Sequence, residues 1–282
     1  MRVPDATDAC WLDGRRLEVA QAFVPIDDPV VQTGLGLFET VAVRQGALLE
    51  IDEHLDRLFD GIGRLRIDPP DREALRATSH EALEGAPVCG WLKIIVTGGG
   101  LTIVFRGAMD PTEEGRESSA VLLPWRRNAT GPLAGMKTLN YAGNRLGLEH
   151  ALERGADEGL WLTSRGHLAE GCTSNVFVVH GGKLFTPALR EGILPGVVRG
   201  LALAAARRLK LHVHEGKLRL PRLRAASEAF LTSSLRAVRP LVRFEGRPVG
   251  KGRSGPLTQR IAAEVATRRR ATRPGERASL IT

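Results

Sequence analysis

The sequence predicts a mixed α/β (α+β) protein of two domains, and three observations support this. Its 282 residues exceed what one minimal core needs and suit one large or two ordinary domains. Apolar residues make up 43% and charged residues 26%, a balance typical of a soluble globular protein. Strand-like and helix-like patterns occur on both sides of an irregular Pro- and Gly-containing segment, residues 126–135. We interpret this segment as a linker between domains at 1–125 and 136–282.

Local patterns predict the elements of the first domain. The stretch LFETVAVRQGALLEI contains two strand patterns around a Gln-Gly turn, which predicts a hairpin. Apolar residues then recur at three- and four-residue steps from Leu55 to Leu65, which predicts an amphipathic helix with Asp52 as its N-cap. A second helix is predicted over 71–84. Strands are predicted in WLKIIVTGGG, LTIVF and AVLLPW.

The second domain alternates in the same way. A helix is predicted over 143–154, followed by short strands that Arg-Gly and Gly-Gly turns separate. The stretch LPGVVRGLALAAARRL predicts a helix with Pro-Gly at its start, and EAFLTSSLRAVRPLVRFEGRPVG predicts further strands. The last helix is expected at about 255–270.

The net charge of +8 is concentrated at the C-terminus. Residues 251–282 hold eight basic and two acidic residues, which supply +6 and leave +2 for the rest of the chain. Nucleic-acid binding needs basic residues on a folded face, often beside aromatics, and aromatics make up only 5% here. We therefore interpret the segment as a solvated basic tail and expect no nucleic-acid partner.

The sequence also indicates the compartment and the absence of a metal site. No apolar run approaches the roughly 18 residues of a membrane span, and the N-terminus has no signal pattern. Three widely spaced cysteines without a CxxC pair fit a reducing compartment, so we expect a cytoplasmic protein without membrane association. Two imidazoles alternate in HVH at 212–214, but no third ligand lies nearby, so no metal site is expected.

Lysine is rare in this chain, with six lysines against 34 arginines. A lysine becomes a nucleophile when desolvation or a neighbouring cation favours its neutral form. Of the six, only Lys93 in WLKIIV and Lys137 in GMKTLNY are placed where a dry interior or cleft could hold them. A surface residue that leads into a helix is the simpler interpretation of Lys137 from local pattern alone.

Three further features are each weak evidence of a site. Glu170, in a turn before an apolar strand, suits either an ordinary turn or an acidic partner for a pyridine nitrogen. The helix start in EGILPGVVRG offers free backbone N–H groups to an anion. Hydroxyls in LTSSL and the guanidinium of Arg57 would add donors.

The order and spacing of these blocks resemble the fold-type IV pyridoxal phosphate enzymes, which include branched-chain and D-amino-acid aminotransferases and 4-amino-4-deoxychorismate lyase. The resemblance covers about residues 34–242 and implies the D-amino-acid aminotransferase-like fold. Its smaller N-terminal α/β domain precedes a larger, barrel-like C-terminal domain that binds the cofactor. The matching blocks are GLGLFET with DEHLDRL, PLAGMKTLNY, GADEGLWLTSRGHLAEGCTSNVF, GILPGVVR and EAFLTSSLRAVRPL.

The resemblance implies a role for each site residue. Lys137 would bind pyridoxal 5'-phosphate covalently and move protons in catalysis, Glu170 would pair with the pyridine nitrogen, and Arg57 would bind the phosphate. Leu235 would face the substrate carboxylate, and Arg106 is the basic residue that follows the glycine run. The other implied cofactor contacts are the backbone of Val197 and Val198, the Ser234 hydroxyl, and Tyr141 near the phenolic oxygen.

This chain departs from the family pattern in places. Gly34-Leu35-Gly36 stands where Gly-Asp-Gly is usual. Val198 replaces a threonine, which predicts weaker phosphate binding through backbone groups alone. The spacing of Tyr141 differs by one from the branched-chain pattern, whereas Asn140 matches the lyase, although the lyase's Arg-Gly-Tyr is absent.

The expected reaction is that of the lyase, which would release pyruvate and 4-aminobenzoate for folate synthesis. Chain length, the stretches KTLNYAGN and FLTSSLRAVRPL, and the lack of a Tyr-x-Arg-Pro element near 93–97 favour it. The alternative is a branched-chain or D-amino-acid aminotransferase, since both reactions share the cofactor motifs. The resemblance implies a homodimer acting on a small amino substrate. A non-catalytic small-molecule binder is an alternative class, against which the retained Lys137 and Glu170 argue. A nucleic-acid role that depends on the basic tail is a further alternative.

Overall fold

The computed structural model describes residues 6–269 and 271–272, which form two compact units. The first unit comprises the described residues up to Pro111, the segment Lys137–Asn140 and the C-terminal residues from Arg269. The second comprises Thr112–Met136 and Tyr141–Arg268. The division into 1–125, 126–135 and 136–282 stays a prediction, and most of the predicted basic tail beyond Arg269 lies outside the described residues.

Strands and helices follow the predicted alternation. The strands are β1 (Ala6–Leu12), β2 (Arg15–Glu18), β3 (Gly36–Arg44), β4 (Ala47–Leu49), β5 (Cys89–Thr97), β6 (Thr102–Ala108), β7 (Ser118–Arg127), β8 (Glu158–Thr163), β9 (His167–Gly171), β10 (Asn175–His180), β11 (Lys183–Pro187), β12 (Val213–Gly216), β13 (Leu218–Arg219), β14 (Glu228–Ser233), β15 (Ala237–Phe244), β16 (Arg247–Pro248) and β17 (Ala271–Thr272). The helices are α1 (Pro29–Thr33), α2 (Ile51–Leu65), α3 (Arg72–Glu81), α4 (Ala142–Glu153), α5 (Val197–Arg208), α6 (Leu220–Arg224) and α7 (Pro256–Ala266).

The first unit is built on one antiparallel sheet. Its strands, as far as the described residues go, lie in the order β17-β4-β3-β5-β6-β1-β2. The predicted hairpin is present as β3 and β4, and its turn residues Gln45 and Gly46 have φ of 51° and 73°, as a tight two-residue turn requires. Helix α2 packs on β3 and buries Leu55, Leu58 and Ile62.

The predicted N-cap of α2 was wrong. The helix begins two residues earlier than predicted, at Ile51, and its N-cap residue, Glu50, has a left-handed φ of 55° and gives no side-chain cap. The Glu50 carboxylate instead accepts a hydrogen bond from Arg269 at 3.0 Å, and both side chains are buried. Asp52 lies in the first helical turn and pairs with Arg76 at 3.2 Å. At least this arginine of the C-terminal segment is therefore not a solvated charge.

The second unit is built on a mixed sheet that curls on itself. Its described strands lie in the order β12-β11-β10-β14-β15-β7-β8-β9-β13, and β16 pairs with β15. The pairs β11–β12, β15–β7 and β7–β8 are parallel and the others antiparallel. Contacts of β13 and β9 with β11 make the sheet barrel-like. The mixed α/β class with a larger, barrel-like second unit is thus confirmed.

Alternating residues of the central strands face two cores. Val176, Val178 and Leu231 face the inside of the curled sheet. Phe177 and Phe230 face outward, stack with ring centroids 4.7 Å apart, and are covered by α5 and α7. This outer core fixes α5 over β10 and β14. None of the described helices is long and apolar enough to cross a membrane.

Candidate functional site

Lys137 lies in a short extended segment that pairs with β3. Because β4 is short and pairs only with the C-terminal end of β3, the first half of β3 has an edge available. The Phe38 N–H donates to the Lys137 carbonyl at 2.9 Å, and the Leu139 N–H donates to the Gly36 carbonyl at 2.9 Å. The main chain on both sides of Lys137 is therefore held as in a strand.

The two glycines of the GLG block allow this segment to approach. A Cβ at Gly36 would lie 2.6 Å from the Leu139 side chain and 2.8 Å from the Val96 carbonyl oxygen. Gly34 has a left-handed φ of 67°, and its carbonyl accepts from the Asn140 side chain at 2.9 Å. The GLG block and the lysine block, which are about 100 residues apart in sequence, thus form one piece of structure.

The amine of Lys137 lies over an aromatic ring. Its Nζ is 4.2 Å from the centroid of the Phe38 ring, and the Nζ of Lys93 is 4.7 Å from the same centroid. Both lysines are half-buried, and burial lowers the pKa of Lys93 below its ordinary 10.5. The ring attracts each cation while the two like charges repel each other.

Arg57 is held by a buried carboxylate that was not predicted from the sequence. Its Nε and Nη2 donate to the two oxygens of Glu39 at 2.7 and 2.6 Å. His54, one turn earlier on α2, lies 2.7 Å from the same carboxylate through Nδ1. Glu39 belongs to the GLGLFET block, so its place in a resembling motif was the available signal.

The charge states of this cluster follow from burial and pairing. Burial alone would raise the pKa of Glu39, but Arg57 and His54 outweigh it and hold that pKa below its ordinary 4.5. Burial lowers the pKa of His54 below 6.5 in spite of the facing carboxylate. The His54–Glu39 contact is therefore a hydrogen bond from a neutral ring, and Arg57 is the cation that Glu39 fixes.

Arg106, which was expected near the substrate, makes contacts inside the first unit. Its guanidinium is buried, donates to the carbonyl oxygens of Ala82 and Glu84, and lies 5.7 Å from the Trp11 ring centroid. It ties the end of α3 to β6. A contact with substrate stays a prediction for this residue.

Glu170 lies near the end of β9 in the second unit with its carboxylate buried. One oxygen accepts from the guanidinium of Arg127. The other accepts from the Asn175 amide at 3.2 Å and from the Leu194 N–H at 2.9 Å. The Asn175 amide also donates to the Leu194 carbonyl at 2.9 Å. The loop that leads into α5 is thereby tied to Glu170.

A second buried carboxylate, Glu158, fixes the turn between Glu170 and Asn175. It accepts from the Cys172 N–H at 3.0 Å, the Thr173 hydroxyl at 2.7 Å and the Ser174 hydroxyl at 2.9 Å. Burial raises the pKa of Glu158 above its ordinary 4.5, although these donors oppose the rise. Glu158 stands within the GADEG block, but no role was predicted for it from the sequence.

Tyr141 is fixed by the same turn. Its hydroxyl donates to the Cys172 carbonyl at 2.7 Å, and the Asn144 amide donates to that carbonyl at 2.9 Å. Burial raises the pKa of Tyr141 above its ordinary 10, so the phenol stays protonated at neutral pH. Its expected place near the phenolic oxygen of a cofactor stays a prediction.

The start of α5 lies at the same end of the sheet as Glu170. Gly196 is the N-cap residue, and a Cβ there would lie 2.0 Å from the Asn175 amide oxygen. The N–H groups of Val197 and Val198 are in the first turn, where a helix provides no acceptors. Asn175 pairs in register with Thr232, and the turn that carries Ser234 and Leu235 follows directly. The second unit therefore brings together these predicted residues.

These features fit a phosphorylated pyridine compound. The donors around Glu170 include the Arg127 guanidinium, and an ionised carboxylate is the partner that a protonated ring nitrogen would need. The α5 start favours an anion, and glycine is required where it meets Asn175. Thr232 Oγ1 is buried and has no hydrogen-bond partner among the described residues, so the same end of the sheet holds an unused hydroxyl.

Known proteins are similar to this chain in sequence. Residues 36–244 match the profile of the family described as amino-transferase class IV. A branched-chain-amino-acid aminotransferase of Pseudomonas aeruginosa is 26% identical over 300 residues, covering 93% of this chain and 92% of that protein. A chloroplastic D-amino-acid transaminase of Arabidopsis thaliana is 27% identical over 278 residues, covering 89% and 72%.

The fold is shared with a solved structure. A branched-chain amino acid aminotransferase from T.th., solved with pyridoxamine 5'-phosphate, superposes with a TM-score of 0.85 at 22% identity. The likeness covers 93% of this chain and 94% of that one.

Proposed function

Because the chain belongs to the class IV aminotransferase family, we propose that it is a transaminase for small amino acids and their oxo acids. The observation that carries the proposal is that relatives aligned over most of the chain include transaminases of branched-chain and D-amino acids. The lyase that the sequence favoured, with its product for folate synthesis, has no support from these relatives. Motifs that bind a shared cofactor do not distinguish the two reactions, because the reaction depends on the substrate site.

Pyridoxal phosphate is the cofactor of this enzyme. When bound, it supplies an aldehyde that takes up the amino group and a ring that accepts the electron pair left at the substrate's α-carbon. Binding, orientation and proton transfer fall to the residues of the chain.

Lys137 is proposed as the catalytic residue. Its primary amine can lose a proton and bond to a carbonyl carbon, which an arginine cannot do. Once the substrate's amine has replaced it, the same Nζ carries a proton away from the α-carbon and returns one later. Pairing of residues 137–139 with β3 and the ring of Phe38 restrict where that nitrogen can go.

Glu170 and the phosphate-binding groups are proposed to orient the cofactor. An ionised Glu170 would keep a proton on the ring nitrogen and so preserve the ring as an electron acceptor. The backbone N–H groups of Val197 and Val198, with the Ser234 hydroxyl, would bind the phosphate, and Arg57 would add its charge. The Val198 side chain is buried in the outer core, so only its backbone contributes.

The test is a comparison of half-reactions. Apoprotein titrated with pyridoxal phosphate should bind it, and Lys137→Ala should lose the covalent attachment. A panel of L- and D-amino acids should then convert the bound cofactor to its amine form with release of the matching oxo acid. Release of pyruvate from aminodeoxychorismate without any amino acceptor, together with no conversion by amino acids, would establish the lyase instead. If pyridoxal phosphate does not bind, the alternative of a non-catalytic small-molecule binder is favoured.

A homodimer and the substrate contacts complete the proposal. Leu235 lies in the turn between β14 and β15, where its backbone would meet a substrate carboxylate. Light scattering on the purified protein should give twice the chain mass of 30.5 kDa. A monomer that is fully active would remove the homodimer from the proposal.

A further inference from the structure

Arg127 faces the Glu170 carboxylate from the end of β7, in a segment that the sequence predicted to be a linker. The register with β8 places it opposite Thr163, and its Nη1 donates to Glu170 Oε1. The Arg127 side chain is 23% exposed and that of Glu170 only 5%. The preceding residue, Arg126, is exposed. Of two adjacent arginines, one is therefore turned inward to a buried carboxylate.

The donors divide between the two oxygens of Glu170. The cation of Arg127 is on Oε1, whereas Oε2 accepts from the neutral Asn175 amide and the Leu194 N–H. A carboxylate with so little exposure loses most of its hydration, and neutral donors alone compensate poorly for a buried charge. Loss of this cation therefore shifts Glu170 toward its protonated form.

Other titratable groups surround this position. Glu158 supports the turn after Glu170, and this turn carries the Cys172 thiol. The Tyr141 phenol, at the start of α4, donates to the Cys172 carbonyl. Burial raises the pKa of Cys172 to about 12 and raises that of Tyr141 as well, so both are neutral at pH 7. Arg127 is thus a cation among two buried carboxyl groups and two neutral side chains.

We infer that Arg127 is a positioning residue: it keeps Glu170 ionised and turned so that a carboxylate, and not a carboxylic acid, meets the ring nitrogen of the cofactor. The inference rests on the proposed function, in which Glu170 faces that nitrogen. A protonated Glu170 has no charge with which to stabilise a protonated ring, so the enzyme would lose electron-accepting power without losing the fold.

The experiment measures how strongly the protein prefers a ring nitrogen. Apoprotein is titrated with pyridoxal phosphate and with its analogue in which C–H replaces the ring nitrogen, and the ratio of the two dissociation constants is the preference. At pH 7, Arg127→Met should reduce this preference about tenfold, the size of one charge-assisted hydrogen bond. Raising the pH to 9 should bring the preference of Arg127→Met back toward that of wild type, because Glu170 then ionises without the nearby cation. Arg127→Lys should retain most of the preference.

Controls separate the possible causes. Arg126→Met removes an exposed arginine and should leave the preference unchanged, and Arg127→Gln should repeat the Met result should the Met variant fold poorly. In Arg127→Met combined with Glu170→Gln, the pH dependence should vanish. Its persistence would mean that another group such as Glu158 titrates, and would overturn the inference. An unchanged preference in Arg127→Met would also overturn it, whereas wild type that binds neither compound would overturn the proposed function itself.

Discussion

Each compact unit contains a buried carboxylate paired with an arginine, and the two pairs are built differently. Glu39 in the first unit accepts two hydrogen bonds from Arg57 and a third from His54, and its side chain is 1% exposed. Glu170 in the second unit accepts from one guanidinium and from two neutral groups. Glu39 is thus enclosed by basic side chains of one helix, whereas Glu170 is supported from one side by a cation and from the other by amides.

The contrast means that the same kind of ion pair can support opposite parts of a reaction. In the first pair the arginine is the predicted working group, and the carboxylate holds its guanidinium in place. In the second the carboxylate is the predicted working group, and the arginine keeps it charged. Removing the support should therefore affect phosphate affinity in one case and ring-nitrogen preference in the other.

The largest effect is expected from replacing the amine of Lys137, because the proposed reaction depends on it. Lys137→Arg keeps a cation near the Phe38 ring, so stability should change by no more than about 0.5 kcal/mol. Because arginine cannot act as nucleophile or base, turnover should fall on the order of 10²–10⁴-fold or more. Transaminase kinetics and urea unfolding check both parts. Lys183→Arg, at the exposed first residue of β11, is the matched control and should keep full activity.

The next largest effect separates the two carboxylates directly. Glu39→Gln leaves the Arg57 charge without its partner and should destabilise the apoprotein by about 3–5 kcal/mol, the range for breaking a buried pair. Glu170→Gln should be milder, about 1–3 kcal/mol, since Arg127 can reach water. Urea unfolding of the two apoproteins gives the comparison. Equal losses would show that the pairs do not differ in enclosure.

A smaller effect is expected where α5 meets the second pair. Gly196→Ala places a Cβ against the Asn175 amide oxygen and should lower stability by about 1–3 kcal/mol while weakening pyridoxal phosphate binding more than pyridoxal binding. Gly200→Ala, in the same helix with open space around it, should instead add about 0.5–1 kcal/mol. Paired titrations and thermal unfolding measure both variants. If Gly196→Ala prefers pyridoxal phosphate over pyridoxal as strongly as wild type does, the start of α5 is not part of the phosphate site.

Acid should weaken the first pair in two stages. As the pH falls below 6.5, the unfolded chain protonates at His54 before the folded one does, because the folded-state pKa is lowered, so stability declines. Below about 4.5 the lowered pKa of Glu39 adds a second loss, which continues until the folded carboxyl itself takes up a proton. In urea unfolding from pH 8 to about pH 3, Glu39→Gln should keep the loss between pH 6.5 and 4.5, which belongs to His54, and should show a shallower slope below pH 4.5. Parallel slopes of the two proteins below pH 4.5 would contradict this origin.

The smallest effect concerns Lys93, which shares the Phe38 ring with Lys137. Its lowered pKa means that the charged form is disfavoured by folding, so Lys93→Met should stabilise the apoprotein by about 1 kcal/mol or less at pH 7. The advantage should shrink as the pH rises toward 10.5, because folded wild type then sheds that proton first. Thermal unfolding at about pH 7 and about pH 9.5 tests this, and a gap that widens would refute it.

Local pattern was sufficient for much of the fold. Periodicity identified α2, the Pro-Gly start and the stretch after it identified α5, and the Gln-Gly turn identified the β3–β4 hairpin, because these depend on neighbours in sequence. The cap at Asp52 was wrong since Glu50 takes a left-handed conformation and binds Arg269, a partner 219 residues away. Such a contact leaves no trace in the surrounding sequence.

The site was predictable only as far as the family resemblance extended. Lys137, Glu170, Arg57 and Glu39 all stood in recognisable blocks. The pairing of Glu39 with Arg57 and of Arg127 with Glu170 was not predictable, because each contact joins elements that are apart in sequence. The reaction could not be derived from these blocks, because those near Asn140 and Ser234 would serve a cofactor that lyases and transaminases share. Relatives that align over most of the chain favour the transaminase that we propose.

The pairing of β17 with β4 has a consequence for biosynthesis. The outermost strand of the first unit, and the arginine that neutralises the buried Glu50, come from residues 269–272 near the end of the chain. A ribosome delivers these residues after every other described strand of that sheet has emerged. The sheet of the first unit therefore has one edge bare until residues 271–272 emerge, and a C-terminal truncation at Arg268 would leave it permanently in that state.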